Sequence, residues 1–202
     1  MPLVDSNDPA VWASLYDLAR LSDPNQRAGF ERDSSLYSAA PREAQGIIAA
    51  LGINSTHRIC VLGAGYGWIA NAIAQQSGCV VAAVDTSTYI QSGKAANADV
   101  EILNADVRAG SGRAAVRQAL GITGQTKASF TITEDLLTIL TDAECVQLSG
   151  FLHDFSTVVV HWVTLLDQGG NQDPRLNWKS VAAWKALLPA DLFVQRSGTV
   201  VL

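Results

Sequence analysis

The sequence is poor in charge and has no long apolar run. Only 16% of its 202 residues are charged, whereas 48% are hydrophobic. This balance is typical of a well-packed globular protein, and no segment approaches the roughly 20 apolar residues that a membrane helix needs. The first residues have neither the basic flank nor the apolar core of a signal peptide. We therefore predict one cytoplasmic domain over residues 1–202, with a helical cap at 1–52 and an α/β core at 58–202.

Clusters of cysteine and of basic residues are also missing. Cys60, Cys79 and Cys145 do not have metal-ligand spacing, so we predict three reduced core residues and no metal site. The formal net charge of −5 and the pI near 5.0 disfavour a nucleic-acid surface, because binding to a phosphate backbone depends on clustered Lys and Arg. A small molecule or a protein is the expected partner.

The sequence does contain a strand, a glycine-rich turn and a helix in immediate succession. An apolar run at 58–62 leads into Gly63-Ala64-Gly65-Tyr66-Gly67, and a helical pattern follows at 68–76. A second apolar run at 79–84 ends on Asp85, about twenty residues beyond the glycines. Glycines permit a sharp turn and close approach of a ligand, and a carboxylate at the end of the next strand can accept hydrogen bonds from two ribose hydroxyls. This segment predicts a nucleotide-binding βαβ unit.

The rest of the chain alternates helical and strand patterns. Near the amino terminus we predict a helix from Asp8, a loop or short-helix cover at 22–40, and a helix that begins at Pro41 and ends at Gly52. Later strands are predicted at 100–103, 128–133 and 157–163, and a terminal hairpin at 192–195 and 199–202. Helices are predicted around 89–96, 112–120, 141–155 and 178–188. This alternation implies a parallel sheet covered on both faces, with the ligand at the carboxyl ends of its strands.

Acidic residues follow three of the predicted strands. Asp85 and Asp106 follow the second and third strands, and Glu134 and Asp135 end the fourth. Each has an ordinary alternative role: Asp85 as a helix cap, Asp106 as a loop acid, and the pair at 134–135 as negative charge at a helix start. His161, inside an apolar strand, is predicted to be a hydrogen-bonded core histidine.

This order of motifs resembles the class I S-adenosylmethionine-dependent methyltransferases, a Rossmann-like family, from Pro41 to Leu202. The resemblance implies a doubly wound, mostly parallel sheet of seven strands, helices on both faces and a C-terminal antiparallel hairpin. It also implies S-adenosylmethionine as cofactor, with the glycine turn after the first strand, Asp85 on the ribose, and Asp106 with Val107 on the adenine. The implied cofactor-binding residues are Gly63, Ala64, Gly65, Gly67, Asp85, Thr86, Asp106, Val107 and Glu134.

The leading hypothesis is a methyltransferase for a small-molecule or protein acceptor. The sulfonium is already activated, so aligning the acceptor and excluding water can provide much of the acceleration. Glu134 is the one candidate for accepting a proton. Residues 22–40 and 167–177 are candidate lids.

Departures from the family motif support a rival hypothesis. Val61 stands where family members usually carry an acid that helps to hold the methionine amino group, and Thr138 and Ile139 replace a common Glu-His pair. The rival is a methyltransferase-fold protein with a structural, assembly or binding role. An oxidoreductase that binds NAD or FAD is disfavoured, because the dinucleotide pattern requires a third glycine at Trp68.

Overall fold

The computed structural model describes residues 34–65, 67–86, 99–134, 136–163, 177, 179–195 and 200–201. The predicted helix from Asp8, residues 22–33 of the predicted cover, the helix around 89–96, Tyr66 and Asp135 lie outside the described residues. Within the described part, a sheet of mostly parallel strands is covered by helices on both faces. The predicted α/β class is confirmed.

The helices and strands follow each other in the predicted order. The helices are α1 (Ser34–Leu51), α2 (Trp68–Ser77), α3 (Gly110–Ala119), α4 (Asp142–Phe155) and α5 (Val181–Leu187), with a 3-10 turn at Leu136–Ile139. The strands are β1 (Arg58–Leu62), β2 (Val80–Asp85), β3 (Glu101–Asn104), β4 (Ala128–Glu134), β5 (Ser156–Val163), β6 (Leu192–Gln195) and β7 (Val200–Val201). None of the described helices is long and apolar enough to cross a membrane.

The strands lie in the order β3-β2-β1-β4-β5-β6-β7. All pairings from β3 to β6 are parallel, and the two residues of β7 pair antiparallel with β6. Residues 196–199, which would form the turn between β6 and β7, lie outside the described part of the chain. The complete terminal hairpin therefore stays a prediction.

The start of α1 differs from the prediction. We expected Pro41 to open this helix, but the helix runs from Ser34 and Pro41 lies inside it. A proline inside a helix removes one hydrogen bond and favours a kink or an end. Ala40 and Ala44, on either side of the proline, are buried in the same core cluster as the apolar residues of α2, and Gln76 Nε2 donates to the Pro41 carbonyl at 2.8 Å. Tertiary packing thus overrides the local preference.

Two apolar cores hold the sheet between the helix layers. Alternate residues of β1 point to opposite faces: Ile59 and Val61 join the core formed with α1 and α2, and Cys60 and Leu62 join the core formed with α3, α4 and α5. Cys60, Cys79 and Cys145 are buried free thiols, as predicted. The central strands are therefore mostly apolar on both faces, and the buried polar residues Thr131, Thr133 and His161 lie within β4 and β5.

The direction of strand addition reverses between β1 and β4. From β1 the chain adds β2 and β3 on one side, and it then crosses back to add β4, β5 and β6 on the other. The loops after β1 and β4 consequently lead to opposite faces of the sheet. Such a reversal leaves a crevice at the carboxyl ends of the two strands, where α/β proteins bind their ligands.

Candidate functional site

The glycine turn after β1 has a backbone that glycine adopts more readily than other residues. Gly63, Gly65 and Gly67 have φ angles of 70°, 53° and 85°. The Gly67 N–H donates to the Ala64 carbonyl at 2.7 Å and closes the turn directly before α2. A Cβ on Gly63 would lie 2.8 Å from the Glu134 carbonyl oxygen, whereas no described atom lies within 4 Å of a Cβ built on Gly65. Gly63 thus packs against the end of β4, and Gly65 faces open space.

Asp85, at the end of β2, bonds directly to this turn. The Gly65 N–H donates to Asp85 Oδ2 at 3.0 Å, and the Ala64 N–H donates to the Val84 carbonyl at 3.2 Å. The structure therefore brings the predicted glycines and the predicted ribose-binding carboxylate into contact. One oxygen of that carboxylate is oriented by the turn itself.

The ends of β2 and β3 are also joined. The Asn104 side-chain amide donates to the carbonyls of Asp85, at 3.3 Å, and Thr86, at 2.9 Å. The Ala105 N–H donates to the Asp85 carbonyl at 3.0 Å. Thr86 and the start of the loop after β3 consequently lie beside the glycine turn.

Asp106, in the loop after β3, forms an ion pair with Arg108. Nε of Arg108 is 3.0 Å from Asp106 Oδ1, and Nη2 is 3.0 Å from Oδ2. Burial raises the pKa of Asp106, but the hydrogen bonds and the charge of Arg108 outweigh it, so the pKa lies below its ordinary value. Arg108 was not predicted as a site residue, although an acid and an arginine two residues apart after a strand indicate a local ion pair.

Strand register places Glu134 on the other side of the glycine turn from Asp85. Leu62 pairs with Val84 of β2 and with Thr133 of β4, so the next positions are Asp85, Gly63 and Glu134. Since neighbouring strands are about 4.8 Å apart, the Cα atoms of Asp85 and Glu134 are separated by roughly 10 Å. A carboxylate therefore flanks the glycine turn on each side.

Val61 lies beneath this edge and not in it. Its side chain is fully buried, and its partners in the two neighbouring strands are Ala83 and Ile132. Glu134, two residues beyond Ile132, lies on the same face of the sheet. The acid that this position usually carries in the family that the sequence resembles is replaced by a core side chain.

A buried polar network lies under the opposite face of the same edge. His161 Nδ1 and the Thr133 hydroxyl are 2.8 Å apart, His161 Nε2 donates to Asp191 Oδ2 at 2.6 Å, and His153 Nε2 donates to Asp191 Oδ1. The prediction that His161 is a hydrogen-bonded core histidine is confirmed. Burial raises the pKa of Asp191, and the hydrogen bond and charge of His161 lower it further than burial raises it.

No group of three or more His, Cys, Asp or Glu side chains among the described residues is arranged to hold a metal ion. The groups that can bind a ligand at the carboxyl edge are instead the glycine backbone and the carboxylates of Asp85, Asp106 and Glu134. Such a set can hold hydroxyl, amino and ammonium groups.

No protein-family model matches the sequence, and no curated protein matches it. Solved structures do match. Magnesium protoporphyrin IX methyltransferase from Synechocystis PCC 6803, with bound S-adenosylhomocysteine, is 15% identical with a TM-score of 0.53, and the match covers 76% of this chain and 70% of that one. The N,N-8-amino-8-demethyl-D-riboflavin dimethyltransferase from Streptomyces davawensis is 14% identical with a TM-score of 0.56, and the match covers 87% and 55% of the two chains.

A third match is the complex between the Haloferax volcanii Trm112 methyltransferase activator and a candidate methyltransferase. It is 13% identical with a TM-score of 0.59, and the match covers 81% of this chain and 74% of that one. The chain thus spans about half to three quarters of the length of these structures. At these identities the likeness establishes the fold, which is that of S-adenosylmethionine-dependent methyltransferases.

Proposed function

We propose that this chain is an S-adenosylmethionine-dependent methyltransferase for a small-molecule or protein acceptor. The observation that carries the proposal is the hydrogen bond from the Gly65 N–H to Asp85, at the reversal point of the sheet. A ligand site is expected at such a point. Solved structures of this fold include a methyltransferase with bound S-adenosylhomocysteine.

The order of groups along the sheet edge matches the order of parts in the cofactor. Asp106 follows β3, Asp85 ends β2, the glycine turn follows β1, and Glu134 ends β4. Adenine, ribose, sulfur and amino acid follow one another in the same order in S-adenosylmethionine. Asp106 with Val107 would meet the base, and Asp85 with Thr86 the ribose. The turn formed by Gly63, Ala64, Gly65 and Gly67 would carry the sulfur.

Glu134 would bind the α-ammonium group of the cofactor. An ammonium group in a partly buried site needs an anion beside it, and Val61 cannot supply one because it is a buried core residue. Register places Glu134 next to Gly63 on the same face as Val61. In this proposal β4 supplies the carboxylate that β1 lacks.

The chemistry needs positioning more than a catalytic side chain. Bound S-adenosylmethionine supplies a methyl group already activated by the sulfonium charge. The glycine turn and the flanking carboxylates would fix the direction of that group, and exclusion of water would favour attack by the acceptor. When the acceptor is an N–H or O–H group it must lose a proton, and Glu134, which ends β4 beside the turn, would accept it.

A small-molecule acceptor is supported by the matching enzymes named for a porphyrin and a riboflavin derivative, and a protein partner by the matching complex with an activator. We also propose one cytoplasmic domain over residues 1–202, a terminal hairpin formed by β6 and β7, and lids at residues 22–33, before α1, and at 167–177.

One observation favours a second candidate, a binding or assembly protein of the same fold. Val61 is a buried apolar residue at the position where the enzymes that the sequence resembles usually carry an acid. The open space beside Gly65 favours the enzyme, because a Cβ built on Gly65 meets no described atom within 4 Å apart from its chain neighbours.

Thermal unfolding with and without ligand tests the proposal. S-adenosylmethionine and S-adenosylhomocysteine at about 100 times Kd should stabilise the native state by about 2.7 kcal/mol, and NAD and FAD should not. Asp85→Ala should abolish the shift. Asp99→Ala, which removes an exposed carboxylate bonded to Gln75, should preserve it.

Three outcomes separate the candidates. A shift together with transfer of a labelled methyl group to an acceptor supports the enzyme. A shift without transfer to any of a broad panel of acceptors supports the binding protein. A folded wild-type protein that shows no shift at millimolar ligand would overturn the proposed cofactor.

A further inference from the structure

The carboxylate of Asp106 is held in one orientation by Arg108. The Arg108 N–H and Nε donate to Oδ1 at 2.9 and 3.0 Å, and Nη2 donates to Oδ2 at 3.0 Å. A guanidinium donates two parallel hydrogen bonds in a fixed plane, so it sets the carboxylate plane as well as its position. Asp106 cannot rotate without breaking these bonds.

The backbone that carries this pair is fixed from the other side by α3. Arg113 Nη1 donates to the carbonyls of Val107 and Arg108 at 2.9 and 2.8 Å. A Cβ on Gly112 would lie 2.0 Å from the Asp106 carbonyl oxygen, so the loop and the helix are in direct contact. The loop therefore cannot shift to compensate for a change in the ion pair.

The arrangement leaves one oxygen of Asp106 able to accept a further hydrogen bond. A carboxylate oxygen has about two acceptor directions. Oδ1 accepts from the Arg108 N–H and Nε. Oδ2 accepts from Nη2 at 3.0 Å and from Nε at 3.2 Å, so both of its bonds come from one guanidinium and from one side. Among the described residues no other donor reaches Oδ2. The pair thus presents a single acceptor at a fixed place beside the end of β3.

We infer that Arg108 is a positioning residue that aims Asp106 at the exocyclic amino group of a 6-aminopurine and thereby selects adenosyl over inosyl ligands. The inference rests on the proposed function, in which Asp106 meets the base of the cofactor. Arg108 acts through Asp106 and need not contact the ligand.

The preference for adenosyl ligands follows from the fixed orientation of the Asp106 carboxylate. The amino group of adenine donates to a carboxylate oxygen, whereas the 6-oxo group of hypoxanthine presents a second acceptor to it. A mobile carboxylate would turn away from the oxo group and tolerate it. A carboxylate fixed by Arg108 stays in place, and the unsatisfied contact should weaken an inosyl ligand roughly 10- to 100-fold.

The test is calorimetric measurement of Kd for S-adenosylhomocysteine and S-inosylhomocysteine. The wild-type protein should prefer the adenosyl compound roughly 10- to 100-fold. Arg108→Ala should reduce that preference about tenfold, and Arg108→Lys should not restore it, because an ammonium group cannot form the two parallel bonds. Asp106→Asn should remove the preference.

Arg117→Ala is the matched control. It removes the same charge from α3, but the Arg117 side chain donates to the carbonyls of Gly124 and Thr126 and not to Asp106. The preference for the adenosyl compound should survive. A ratio of two constants within one variant is not changed by a general loss of stability, so a purely structural role of Arg108 would leave it intact.

Each contrary result has a distinct meaning. If the ratio of the two Kd values in Arg108→Ala equals that of the wild type, the inference is overturned and the proposed function stands. The same holds if Arg108→Lys keeps the wild-type ratio. A wild-type protein that binds both compounds equally also overturns the inference alone. A folded wild-type protein that binds neither compound overturns the proposed function and, with it, the inference.

Discussion

Asp191 Oδ2 accepts a hydrogen bond at 2.6 Å from His161 Nε2, and both side chains are completely buried. The carboxylate precedes β6, the imidazole lies in β5, and the second oxygen of Asp191 accepts from His153 of α4. The Asp191 carboxylate therefore connects the start of β6 to β5 and to α4.

This pair predicts a loss of stability in acid. Burial raises the pKa of Asp191, but the hydrogen bond and charge of His161 lower it further, so the pKa in the folded protein lies below that of an ordinary aspartate. A carboxylate with a depressed folded pKa contributes stability that is present above the unfolded pKa and is lost as the pH falls through the folded pKa. Urea unfolding between pH 7 and pH 2 should show this loss below about pH 4.

Asp191→Asn should abolish much of that acid dependence and destabilise the protein by about 3–5 kcal/mol at neutral pH, because it breaks a buried pair. Asp154→Asn, on an exposed position of α4, is the control and should have little effect. Equal acid sensitivity in Asp191→Asn and in the wild type would show that the loss originates elsewhere.

Gly63→Ala should destabilise the fold more than Gly124→Ala. Both glycines have positive φ, 70° and 57°, and alanine in such a conformation costs about 1–2 kcal/mol. Only the Gly63 substitution also places a Cβ 2.8 Å from a backbone oxygen, that of Glu134. Denaturant midpoints of the two variants measure the difference. Equal destabilisation would mean that β1 and β4 can separate slightly at this point.

Glu134→Gln should weaken binding of the amino acid part of the ligand and leave binding of the adenosine part unchanged. We expect about a tenfold loss of affinity for S-adenosylhomocysteine, since a hydrogen bond to a charged group is replaced by a neutral one. The affinity for 5′-methylthioadenosine, which lacks the amino acid, should be unchanged. Asp85→Asn should weaken both ligands. If Glu134→Gln affects the two ligands equally, the ammonium site lies elsewhere.

Thr141→Ala should cost about 1 kcal/mol of unfolding free energy. Thr141 and Glu144 form a capping box, in which the Glu144 N–H donates to the Thr141 hydroxyl and the Thr141 N–H donates to the Glu144 carboxylate. Ser180→Ala, which removes a single cap bond at α5, is the comparison and should cost less. An equal loss in the two variants would argue that the reciprocal bond from Glu144 adds nothing.

The features that the sequence predicted are those whose causes are local. The glycine turn and Asp85 stand at the ends of two strands that are recognisable from their apolar residues. Parallel pairing then brings Gly65 and Asp85 together without any further information.

The features that it missed depend on tertiary contacts. The bond between His161 and Asp191 exists because the register of β5 and β6 brings distant residues together. Pro41 lies inside α1 because Ala40 and Ala44 pack in the core, an effect that local preference cannot show. Arg108 lies only two residues from Asp106, but the loop that carries both is held by Arg113 of α3.

The central position of β1 implies an order of folding. β1 meets β2 after a single intervening helix, but it meets β4 only after β2, β3 and α3 have been added to the chain. Closing the shorter connection costs less chain entropy, so the contact between Gly65 and Asp85 can form early. The contact between Gly63 and Glu134 must wait for the second half of the domain. A ligand that spans both carboxylates would therefore bind only the finished fold, and it would slow unfolding by holding the two halves together.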